Sequence, residues 1–195
     1  MRKWLREYRS FGLTIVLLLA ARSSLADHYV VPSGSMEPTL LPGDRVLVDK
    51  QAYGFRLPFT LVKLSQGARV AHGDVVVFDS PADGTRLIKR VVALPGDVVE
   101  VSAGHVTING APAATDPRSL DERLDDHAVT LNLSFGGGPD VAPTRVPAGQ
   151  VFLLGDARGN SRDSRFFGFV PETAIYAKAS RVYYRSQAGF VWLPL

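Results

Sequence analysis

Thr85-Arg86-Leu87-Ile88-Lys89-Arg90-Val91-Val92-Ala93-Leu94, closed by Pro95-Gly96-Asp97, reads as a β-strand ending in a turn. Period-two alternation puts Leu87, Lys89, Val91 and Ala93 on one face, and Arg86, Ile88, Arg90 and Val92 on the other. Lys89 is then the one cation among apolar neighbours. Burial disfavours an ammonium, so such a lysine loses its proton readily and can serve as a neutral general base. A lysine snorkelling from an edge strand is the plain alternative. Five lysines against 17 arginines mark arginine as the usual cation of this chain, and arginine cannot act as a base.

Comparable runs rich in Val, Ile, Leu, Phe or Tyr lie on both sides, at 45–49, 74–78, 98–101, 105–109, 150–154 and 179–184. Turn sequences such as Leu41-Pro42-Gly43-Asp44 separate them, and Ser102-Ala103-Gly104 closes a hairpin. From Ala111 to Pro147 the character changes: 116–126 is polar and acidic, and Gly136-Gly137-Gly138-Pro139 marks a loop. The fold class expected is mainly β, with a core built from 27–101 and 149–195. Residues 102–148 are expected to form a small inserted subdomain or variable loops.

The 195 residues are 46% hydrophobic and contain no cysteine, which excludes a disordered tail, a disulfide scaffold and a cysteine-ligated zinc site. The formal charge of +3 is confined to the first ten residues, where Arg2, Lys3, Arg6 and Arg9 stand against Glu7. The remainder is neutral overall, so nucleic acid is not an expected partner. An apolar run, Phe11 to Ala21, follows the basic cluster. Eleven residues rise only about 16 Å, so a membrane span must extend further, from near Tyr8 to Leu25. A retained anchor over 1–26 with a cytoplasmic N-terminus is one reading. A signal peptide cleaved after Ser24-Leu25-Ala26 is a second, and a buried helix is the third.

Two further segments gather chemistry-bearing residues. In Pro32-Ser33-Gly34-Ser35-Met36-Glu37-Pro38-Thr39-Leu40, two serines flank a glycine and a proline stiffens the exit. Such a turn fixes a hydroxyl beside free backbone N–H donors, although a plain surface turn has the same composition. Gly155-Asp156-Ala157-Arg158-Gly159-Asn160-Ser161-Arg162-Asp163-Ser164-Arg165 follows an apolar strand. It is either an ordered network of ion pairs around a site or a solvated loop.

Together and in this order, with Phe166-Phe167-Gly168-Phe169-Val170-Pro171-Glu172, the three segments resemble the type I signal peptidases. That family removes signal peptides from exported preproteins with a Ser/Lys dyad. The resemblance covers about residues 10–100 and 148–185. It implies a β-rich catalytic core of the signal-peptidase type, tethered by an N-terminal membrane-anchor helix. Ser35 is then the nucleophile and Lys89 its base. Ser33, with the Ser35 N–H, forms the oxyanion hole, and Ser161 orients the lysine. Asp163 and Arg165 form a supporting ion pair, with Asp156 and Arg158 supporting from the same loop. Val31, Met36, Leu40, Val77 and Ile88 line or adjoin pockets for small side chains. One departure is visible: Ala157 stands where the family usually has Asn. No metal or cofactor is expected; the expected partners are preprotein signal peptides and membrane lipid. The resemblance places the enzyme in a bacterial plasma membrane, single-pass, with its catalytic domain outside the cytoplasm.

A specialised conjugation or pilin-processing peptidase of the same family is the nearest alternative, and an inactive membrane-tethered β-rich binding module is another. A self-cleaving repressor would need a helix-turn-helix before the serine, and no Gly-x-Ser-x-Gly elbow supports a Ser-His-Asp hydrolase. His28, His72, His105 and His127 lack metal spacing and read as ordinary residues.

Overall fold

Three copies of one turn launch three of the strands. Leu41-Pro42-Gly43-Asp44, Ala71-His72-Gly73-Asp74 and Leu94-Pro95-Gly96-Asp97 each place glycine at positive φ (+87°, +84° and +93°), where a side chain would be strained. In each, the aspartate N–H donates to the carbonyl three residues back, at 3.0, 3.3 and 3.0 Å. Its carboxylate accepts from that same residue's N–H, at 3.0, 3.1 and 2.8 Å. The turn is closed twice, so the strand that follows starts in a fixed direction.

The computed structural model describes residues 26–54, 67–116 and 118–195, together with Phe11, Gly12, Thr14 and Ser65. The chain is mainly β, as expected. The strands are β1 (Ala26–Val30), β2 (Arg45–Asp49), β3 (Val75–Asp79), β4 (Arg86–Ala93), β5 (Val98–Ser102), β6 (His105–Ile108) and β7 (Ala111–Pro112). They continue as β8 (Asp121–Leu124), β9 (His127–Thr130), β10 (Val141–Arg145), β11 (Gln150–Leu154), β12 (Val170–Pro171), β13 (Ile175–Arg185) and β14 (Gly189–Pro194). The main antiparallel sheet runs β1-β2-β13-β3-β4-β11-β12, with β14 paired to β13. A second sheet runs β10-β5-β6-β7, and β8 pairs β9. The anchor expected over 1–26 lies almost wholly outside the described residues. Among the described residues, no helix is long and apolar enough to cross a membrane.

β3 reads Val-Val-Val-Phe without a polar alternate because both of its faces are covered. Val75 and Val77 pack with Val31, Met36, Leu40, Val46 and Val48, while Val76 and Phe78 pack with Val91, Val151 and Leu153. β4 departs from strict alternation. Its pairing with β11 shifts between Phe152 and Leu153, and this bulge turns Val92 and Ala93 into one cluster with Val99, Val106 and Phe152. Lys89 is not the one buried cation of the strand either: Arg90 is also buried, paired with Asp156 at 2.7 Å.

β4 is paired to β3 from Arg86 to Arg90, but β11 joins its other side only from Arg90 onward. The edge of residues 86–89 therefore has no partner among the described strands. The polar stretch near 121–130 forms the β8–β9 hairpin, in which Glu122 and Leu124 are buried and Asp121 and Arg123 are exposed.

Candidate active site

Ser35 sits in a short 3-10 turn, Gly34–Met36, in the loop between β1 and β2. The next side chain, Met36, is fully buried, as is Leu40 four residues on, and both belong to the core cluster with Val46 and Val48. These two anchors fix the turn from beneath. A Cβ on Gly34 would lie 2.7 Å from the Glu37 carboxylate, so the turn tolerates only glycine there without moving that side chain.

β4 delivers Lys89 to this turn. Its Nζ lies 2.7 Å from Ser35 Oγ and donates a second bond to the Ile88 carbonyl at 3.1 Å. Lys89 is 2% exposed. Burial pushes its pKa down to about 8, against the nearby charges of Asp163 and Asp156, which pull it up. A hydroxyl within 2.7 Å of an amine that is partly neutral near pH 7 has the geometry of an activated nucleophile. Ser33 Oγ lies at the outer limit of hydrogen bonding from Ser35 Oγ, at 3.5 Å.

The loop after β11 holds this pair from the far side. Gly155 passes so near that a Cβ there would meet the Ser35 carbonyl at 2.4 Å, and the Ala157 N–H donates to that carbonyl at 3.2 Å. Asp156 accepts from Arg90 Nε (2.9 Å), Arg90 Nη2 (2.7 Å) and Thr39 Oγ1 (2.6 Å). Arg90 also donates to the Gly73 carbonyl at 2.8 Å. One buried ion pair thus joins the serine loop, the lysine strand, the Gly73 turn and the loop after β11. Asp163 accepts from Arg165 Nε and Nη2, both at 2.8 Å, and from the Gly155 N–H at 3.1 Å.

A groove of about 160 Å³ opens beside the pair. It reaches from Ser33, Ser35 and Lys89 along Val31, Val77 and Ile88 to Tyr29 and Arg86. The unpaired edge of β4 forms one wall and β1 supplies the other, so an extended peptide has the right shape to fill it.

The sequence model of the family described as "Signal peptidase, peptidase S26" matches residues 1–184. The chain belongs to the signal peptidases. A signal peptidase I of Pseudomonas fluorescens is 38% identical, over 91% of this chain and 72% of that protein. A signal peptidase I of Leptolyngbya laminosa is 34% identical, over 88% of this chain and 75% of its own. A crystal structure of a signal peptidase I from Enterococcus faecalis V583 is 31% identical and covers 58% of this chain and 98% of that one, with a TM-score of 0.42.

Within this peptidase, Ser35, Lys89, Ser33, Val31, Val77 and Ile88 meet at the groove, whereas Met36 and Leu40 lie in the core rather than in its lining. Ser161 Oγ packs against Gly155 and is buried with no hydrogen-bond partner among the described residues; the bonds of Lys89 go to Ser35 and Ile88 instead. Arg158 turns away from the dyad. It forms a buried ion pair with Glu122 of β8 at 2.6 Å and donates to the Gly104 carbonyl, so it fastens the hairpin to the loop. Ala157 acts through its N–H, which explains why the missing Asn side chain leaves the loop's hold on Ser35 in place.

Sequence reasoning missed Arg90 and Thr39, whose signal is only adjacency to the lysine and to the serine turn. It also missed Tyr29 and Arg86, and it read His72 as an ordinary residue. His72 is clasped between Asp97 and Asp125, each at 2.8 Å from a ring nitrogen.

Proposed function

We propose that this peptidase removes N-terminal signal peptides from exported preproteins through a Ser35/Lys89 dyad. The observation that carries the reading is the 2.7 Å approach of a buried Lys89 amine to Ser35 Oγ at the head of an apolar groove. Neutral Lys89 accepts the hydroxyl proton as Oγ bonds to the scissile carbonyl carbon. The oxyanion that forms is held by the Ser35 N–H and Ser33 Oγ. Lys89 then returns the proton to the leaving amine as the C–N bond breaks, leaving an acyl-enzyme on Ser35. A water that gives its proton to Lys89 hydrolyses the ester and frees Ser35. The Asp163–Arg165 pair braces the loop that packs on Ser35, with Ser161 buried against Gly155 of that loop. Val31, Val77 and Ile88 give the groove small apolar walls, which favours small residues at −1 and −3 of the signal peptide.

Residues 1–26 serve as a single-pass anchor, with the basic cluster on the cytoplasmic side and the body outside. The charge confined to that end, followed by the run from Phe11 to Ala21, supports this. The catalytic core is then formed by 27–101 and 149–195, with 102–148 as the insertion.

The test is cleavage of a preprotein by wild type, Ser35→Ala and Lys89→Ala, with the N-terminus of the product sequenced. Wild type is expected to release one mature N-terminus after a small residue, and both variants are expected to fall by at least about 10³-fold. Activity of Ser35→Ala near that of wild type removes the proposal.

A further inference from the structure

Arg86 faces the same groove as the dyad but has no part in the chemistry above. Four contacts restrain it. Its Nε and Nη2 reach the two carboxylate oxygens of Asp79, at 2.9 and 3.2 Å, and its Nη1 donates to Tyr29 Oη at 3.1 Å. Its guanidinium carbon lies 4.4 Å from the centre of the Tyr176 ring. Asp79 is its direct partner across β3–β4, while Tyr29 belongs to β1 on the opposite wall. The guanidinium therefore bridges the end of the groove away from Ser35. Arginine has five N–H donors, and these partners occupy three, leaving one on each Nη. Its side chain remains 41% exposed, which leaves it accessible to a ligand in the groove it lines.

The spacing says which ligand atom they meet. Ile88, whose carbonyl holds Lys89, stands at the reacting end, and Arg86 lies two residues back on the strand. Two residues of strand advance about 6.6 Å, as do two residues of an extended peptide. A peptide whose −1 carbonyl is at Ser35 Oγ and whose chain follows the unpaired β4 edge brings its −3 residue abreast of Arg86. We infer that Arg86 is a substrate-binding residue of this peptidase, donating from its free N–H groups to the backbone carbonyl of the substrate's −3 residue. The inference rests on the dyad reading. Because the guanidinium is already held on three sides, little freedom is lost when the peptide binds.

The experiment is a cycle of two enzymes and two peptides. Wild type and Arg86→Ala, as full chains, cleave a peptide with Ala at −3 and −1. They also cleave its analogue in which an E-alkene replaces the amide between −3 and −2. With the normal peptide, Arg86→Ala is expected to lose about tenfold in kcat/KM, carried by KM with kcat nearly unchanged. With the alkene peptide the two enzymes should be equal. Tyr29→Phe, which removes only the tether across the groove, should raise KM in the same direction by a smaller factor. Arg86→Lys, which keeps the charge but loses the fork, should recover part of the loss. An alkene penalty of the same size against both enzymes overturns the role of Arg86. Ser35→Ala run beside them separates the two readings: if it cleaves as wild type does, the dyad and this inference fall together. If only the cycle fails, the dyad stands.

Discussion

Replacing Lys89 by methionine should destroy cleavage while stabilising the fold at neutral pH, by an amount that depends on pH in one direction only. Burial holds the folded-state pKa of Lys89 near 8, whereas its ordinary value is 10.5. Between those values the unfolded chain carries a proton that the native chain lacks, so wild-type stability rises with pH across this window. Below about pH 8 the cost of the buried ammonium is fully present. At 1.36 kcal/mol per tenfold change in proton affinity, that cost is on the order of 3 kcal/mol. Methionine fills the same volume without the charge, but gives up the bonds to Ser35 Oγ and the Ile88 carbonyl, worth about 1 kcal/mol net. Urea unfolding of both full chains at pH 6.5, 8, 9 and 10.5 reads the difference. Lys89→Met is expected to be more stable by about 2 kcal/mol at pH 6.5, with the advantage gone by pH 10.5. A stability difference that stays constant across that range refutes the buried-ammonium reasoning.

The same titration governs rate. With Lys89 near 8, about a tenth of it is neutral at pH 7 and about nine tenths at pH 9, so kcat/KM should climb nearly tenfold and then level. A profile flat from pH 6 to 10 would speak against lysine as the base. Asp156→Asn strips the carboxylate from Arg90 and Thr39 in a buried site, and a loss of about 3–5 kcal/mol in urea unfolding is expected. A loss below about 1 kcal/mol would show that the four segments do not depend on it. His72 holds a carboxylate at each ring nitrogen, which only the imidazolium can satisfy as a double donor. Burial opposes that charge, but the bonds to Asp97 and Asp125 outweigh it and the pKa is raised. The stabilisation is thus full below about pH 6.5 and lost as pH rises through the folded value. Melting curves should separate wild type from His72→Gln most at pH 5.5 and least above pH 8.5; the reverse order would discard the clasp.

Much of the sheet is legible in the sequence because turn chemistry and apolar runs are local. The run at 45–49 coincides with β2 and that at 150–154 with β11, while the one at 179–184 is only the latter part of the longer β13. The β8–β9 hairpin escapes because its buried position 122 is a glutamate, which looks polar until Arg158 is brought to it from a distant loop. The faces of β4 are misread past Val91 because the β4–β11 register shifts there, with Val92 as the extra residue, and the shift shows only once the two strands are paired. For the site, the serine and lysine segments are marked by unusual residues in unusual company. Arg90, Thr39 and Arg86 carry no such mark, since their partners Asp156 and Asp79 become neighbours only through strand pairing and loop closure.

Ser35 and Lys89 are 54 residues apart in the chain, and Asp156 reaches back 66 residues to Arg90 and 117 to Thr39. Contacts of such span demand the largest chain-closure entropy and are rewarded only once the intervening strands have paired. In kinetic terms, the Ser35–Lys89 contact is expected to form late in folding. A partly folded chain with strands formed but their pairing incomplete is then expected to lack the aligned serine and lysine.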